Sequence, residues 1–179
     1  IAQHHGLPTR LLDWSFSPYV ALHFATSDLS KFDKDAAIWC INMVDVHKTL
    51  DPRYKNALEE EGSYVFTTEM MAKLDDKLLD FDSTSVGQRL CFFEPPSIDG
   101  RIINQFALFS IINNPNITIN DWLVNNTTVL SQKIIIPSSI KWEVRDKLDQ
   151  MNITERVLFP GIDGISTWLK RYYTDKSKT

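Results

Sequence analysis

The chain has 179 residues, 43% of them hydrophobic and 23% charged, which allows one real core and argues against low-complexity disorder. Its 19 Lys and Arg against 23 Asp and Glu give a formal net charge of −4, which disfavours a nucleic-acid-binding face. No run approaches the roughly 18 apolar residues that span a bilayer, and no basic-apolar leader opens the chain, so a cytoplasmic protein without a membrane partner is expected.

Gly6 and Pro8 bracket a loop, and residues 9–14 read as a short extended segment. Alternation there places Thr9, Leu11 and Asp13 on one side and Arg10, Leu12 and Trp14 on the other. Ser17-Pro18 signals a helix start, with Val20, Ala21, Phe24 and Ala25 facing the core. Residues 36–44 read as a buried strand containing Cys40, and 88–93 as another containing Cys91. Both thiols are expected buried and free.

Helices are expected over 52–61, ended by Gly62, and over 67–80. Residues 101–105 form a turn or short helix leading into a strand at 107–112, and 133–136 form the last strand. Two more helices follow. One runs over 139–151 with Ile140, Val144 and Leu148 inward, and one over 160–173 with Ile162, Ile165, Leu169 and Tyr172 inward. Strands and helices mix without regular βαβ spacing, so the fold class is α+β: a mixed or antiparallel sheet flanked by helices. One domain over 1–174 is expected, with a flexible tail at 175–179.

The densest constellation is Gln3, His4, His5, Thr9, Arg10, Asp13, Trp14, Ser15 and Ser17, beside the first helix N-terminus. Such a terminus favours anions, Arg10 can grip phosphate or carboxylate at two points, and Trp14 can stack on a planar ring. The plainer reading is that Arg10 pairs with Asp13 and Trp14 fills the core. His4 is the acid-base candidate and His5 a ligand donor. Adjacent histidines point apart and no metal spacing accompanies them, so no metal is expected. Arg101, Gln105 and Phe109 form a second constellation, in which Gln105 either reaches a ligand hydroxyl or ties down a loop. Gly161 and Gly164 mark the start of the last helix. No P-loop, GxGxxG or GxSxG is present.

The run from Ala2 through Ser15, followed by Ser17-Pro18 and Ala21-Leu22-His23-Phe24-Ala25, resembles the FRG domain family and its QHxGxPTRLLDWT-type block. The stretch from Arg101 to Phe109, the Leu158-Phe159-Pro160 run and the Asp163-Gly164 pair are similar to later family blocks. Ala107 stands where the family often has Gly. The family's Phe-Arg-Gly motif is expected upstream of Ile1, making this chain a bacterial FRG-type domain incomplete at its N-terminus.

The motif order resembles ADP-ribosyltransferases of the Arg-Ser-Glu type. That resemblance implies that residues 9–17 line a pocket for NAD as substrate, with Gln105 at the position of the catalytic glutamate. Glutamine cannot offset an oxocarbenium charge as a carboxylate does. Two readings follow: an ADP-ribosyltransferase-like, nucleotide-handling enzyme or binding module, an effector in defence or toxicity, with Gln105 close to Arg10 and His4; or a non-catalytic interaction or sensor domain in a bacterial stress or defence system, its block a structural clasp with Arg10 and Asp13 buried and mutually satisfied and no open cleft. Any protein target is left open.

Overall fold

In the computed structural model, residues 9–83 and 87–174 are described. The expected site residues Gln3, His4 and His5, and the expected tail, lie outside them. The chain is α+β, with one mixed sheet, one antiparallel sheet and flanking helices. Among the described residues, no helix is long and apolar enough to cross a membrane.

Two compact units form. Of the described residues, the first comprises 9–14, 41–83, 87–96 and 108–131, the second 15–40, 97–107 and 132–174. The first unit is built on a four-stranded sheet of order β1-β5-β4-β3, from β1 (Leu12–Ser15), β3 (Phe66–Thr67), β4 (Leu90–Glu94) and β5 (Ala107–Ile112). Strand β3 runs parallel to β4, and β4 antiparallel to β5 with Cys91 opposite Ile111.

Strand β4 is apolar from Leu90 to Phe93, and both its faces are covered there. Cys91 and Phe93 join Tyr54, Phe66, Met70 and Ile111 in one core, while Leu90 and Phe92 join Val46, Leu108, Ile112 and Trp122 in another. The helices of this unit are α2 (Met43–Lys48), α3 (Pro52–Glu60), α4 (Thr68–Leu74), α5 (Leu78–Asp82) and α7 (Ile119–Asn125). Helix α3 ends at Gly62, whose φ of +59° suits glycine. The single helix expected over 67–80 is two, because Asp75 turns extended and holds Tyr54 Oη and Arg53. Buried Arg89 stacks 4.3 Å over the Tyr54 ring and donates to Asp51 at 2.9 Å.

The second unit holds α1 (Pro18–Ala25), β2 (Ala36–Ile41), α6 (Gly100–Asn104), β6 (Ser131–Ile136), α8 (Lys141–Gln150), α9 (Glu155–Leu158) and α10 (Ile162–Tyr172), with β2 paired to β6. Ser17 caps α1 and Pro18 opens it, as expected. The inward face differs. Val20 is buried, but His23 takes the place expected of Phe24, which is half exposed.

Strand β2 ends at Ile41, Val44 belongs to α2, and Cys40 is exposed rather than buried. A two-stranded sheet leaves one face uncovered, so an apolar run does not ensure burial. On α8 the inward residues are Lys141, Arg145 and Leu148 rather than Ile140, Val144 and Leu148, because Arg145 finds buried partners. On α10 they are Gly164 and Arg171, and the apolar stripe expected inward faces solvent.

Candidate functional site

Arg10 precedes β1 and projects to the same sheet face as Leu12 and Trp14, while Leu11 packs on the other face, as the alternation required. Its guanidinium is gripped by Asp82, with Nη1 and Nη2 donating to the two carboxylate oxygens at 2.8 and 2.9 Å. Nη2 also donates to the Ile112 carbonyl at 2.7 Å. The partner is therefore Asp82, at the end of α5, rather than the Asp13 that sequence proximity suggests. Asp82 carried no sequence signal, because the contact spans 72 positions.

Trp14 leans edge-on against Phe92 at 5.4 Å and donates from Nε1 to Ser110 Oγ at 2.9 Å. Its ring is part of the packing, consistent with the plainer reading of that residue. Thr9 is exposed and its Oγ1 accepts from Leu11 N–H, while Asp13 is exposed at the second position of β1.

A cleft of about 280 Å³ opens beside Arg10. Leu12, Ile112, Ile117 and Ile119 give it apolar walls, and Ser110 and Asn114 lie among its polar groups. This is near the lower end of small-molecule pockets, and the mixture of apolar walls with few polar groups is typical of them. Sequence reasoning found Arg10 and missed the rest, since the 110–119 strand-turn-helix reads as scaffold.

In the second unit, Ser15, Ser17, Arg101 and Gln105 belong to one knot. Ser15 Oγ donates to the Gln105 carbonyl at 2.7 Å and accepts from Ser17 N–H. Gln105 Nε2 donates to the Leu158 carbonyl at 2.8 Å, and Asn104 Nδ2 to the Val157 carbonyl at 2.7 Å. Arg101 stacks 4.7 Å over the Phe159 ring. Three stretches far apart in sequence, around 15, 105 and 158, are thereby tied together. Gln105 acts as the C-cap of α6 and as a loop tie.

Beneath α1 lies a charged core that sequence reasoning did not single out. Arg145, fully buried, donates to Glu155 Oε1 at 2.7 Å and to His23 Nδ1 at 2.9 Å. Arg171 reaches the same Glu155 and also Asp149. Burial raises the Glu155 carboxyl pKa, but the Arg171 bonds and the Arg145 charge lower it further, so it stays ionised. His23 was visible only as one letter of the Ala-Leu-His-Phe-Ala helix.

The class defined here is an α+β protein with a compensated arginine beside a small cleft. Residues 1–34 match the family model described as the FRG domain, so the chain carries FRG-domain sequence over that segment. The matched segment contains Arg10, Trp14, Ser15, Ser17 and His23, whereas Arg101 and Gln105 lie outside it. No curated protein and no solved structure matches the chain.

Proposed function

We propose that the chain is a small-ligand-binding sensor domain whose ligand is the base-and-ribose portion of a nucleotide. The observation that carries this reading is the cleft beside Arg10. Leu12, Ile112, Ile117 and Ile119 offer apolar walls for a flat ring, and Asn114 and Ser110 offer groups for its polar edge. Because Asp82 already balances Arg10, the cleft suits an uncharged fragment better than a phosphate.

The test is calorimetry of the chain with NAD and, separately, adenosine. Saturable binding of both is expected, lost in Ile117→Trp, which fills the cleft. Binding that survives this filling would remove the cleft from the account.

A second reading, an effector that transfers ADP-ribose from NAD, is favoured by the Ser15–Gln105 contact, which joins the early block to the late position. It requires NAD consumption that Gln105→Ala abolishes. The sensor reading expects none, since the Gln105 amide is engaged by the Leu158 carbonyl.

A further inference from the structure

Helix α10 carries Ile162, Ile165, Leu169 and Tyr172 at spacings of three, four and three, the a/d pattern of a coiled-coil seam. Their exposures are 80%, 47%, 40% and 61%. The helix docks onto its own unit by other residues. Gly164 lies against the Phe159 and Glu155 carbonyls, and Arg171 pairs with Glu155 and Asp149. At about 100° per residue, the seam lies about 120° round from that docking face. An exposed apolar stripe on a helix docked from another side is the kind of patch that marks interaction sites.

We propose that this seam pairs with the same seam of a second copy of the chain, antiparallel and about a two-fold axis near Thr167. Two observations select a second copy. The three-four-three spacing reads identically in both directions, so a two-fold sets Ile162 against Tyr172 and Ile165 against Leu169, the self-complementarity an isologous interface needs.

The helix residues flanking the seam, Ser166, Trp168 and Tyr173, carry no charge, and the one cation beside them, Arg156, lies 4.6 Å over the Trp168 ring and is engaged there. Tyr173, 79% exposed, extends this apolar surface beside Tyr172. Antiparallel pairing also opposes the two helix dipoles favourably. The helix is anchored before association, which lowers the ordering cost.

Sedimentation velocity of the 179-residue chain between about 1 and 100 μM tests the proposal. A concentration-dependent monomer–dimer equilibrium is expected. Ile165→Glu and Leu169→Lys, each alone, should raise the dimer Kd at least about tenfold. Together in one chain they should restore it to within about threefold, because antiparallel pairing sets each introduced acid against an introduced lysine. Far-UV circular dichroism confirms that the variants are folded, which substitution at solvent-facing positions permits. A parent that stays monomeric throughout overturns the proposal, as does a dimer that both single variants leave intact. A combined variant that stays dissociated overturns the antiparallel two-fold.

Discussion

Arg145 Nη1 donates to Nδ1 of His23 at 2.9 Å inside the second unit. The bond decides the imidazole's state: Nδ1 must keep its lone pair, so the proton sits on Nε2 and the ring is neutral. Burial first, and the Arg145 charge second, lower His23 to about 4. His47 in the first unit reaches about 4 through burial. Its Nε2 accepts from Phe92 N–H, so Nδ1–H donates to the Tyr64 carbonyl.

Stability should therefore depend on pH in one direction. Unfolded histidines titrate near 6.5, and these two near 4, so between those values the unfolded chain holds more protons. The stabilisation is complete above 6.5 and is lost as pH falls toward 4. Each histidine contributes on the order of 2–3 kcal/mol. Urea unfolding at pH 7 and pH 4.5 measures it, and equal midpoints would contradict two buried neutral imidazoles.

Glu155 holds two buried arginines at once. Glu155→Gln leaves Arg145 without its anion, whereas Arg171 keeps Asp149. A loss of about 3–5 kcal/mol is expected. Asp149→Asn should cost less, since Asp149 is a quarter exposed and Arg171 retains Glu155. Chemical denaturation of both variants gives the order, and a larger loss for Asp149→Asn would reverse the assignment.

Gln105→Glu separates the tie from a catalytic role. The substitution removes the amide that donates to the Leu158 carbonyl and sets a carboxylate against it. Destabilisation of about 1–3 kcal/mol is expected, read as a lower Tm. An unchanged Tm with newly gained NAD turnover would show that the position faces substrate instead.

Gly164→Ala should undock α10. A Cβ there would collide with the Phe159 and Glu155 carbonyl oxygens, and backbone cannot yield as a flexible side chain does. Faster proteolysis within residues 160–174 and a loss of more than about 2 kcal/mol are expected. Wild-type protection would mean the close approach is relaxed in solution.

Local rules settled much of this protein from its letters. Ser17-Pro18 had to open a helix, Gly62 had to close one, and 107–112 had to be a strand, because caps, φ preferences and alternation act within a few residues. The FRG-type block was equally legible. Periodicity named the apolar stripe of α10 but not where it points, and an apolar run named β2 but not whether anything covers it. Those outcomes, with the Arg10–Asp82 pair, the Ser110–Asn114 wall of the cleft and the Glu155 cluster, belong to tertiary structure. Each depends on contacts between residues far apart in the chain, where one buried ion pair or one close backbone approach outweighs the preference of an amphipathic face.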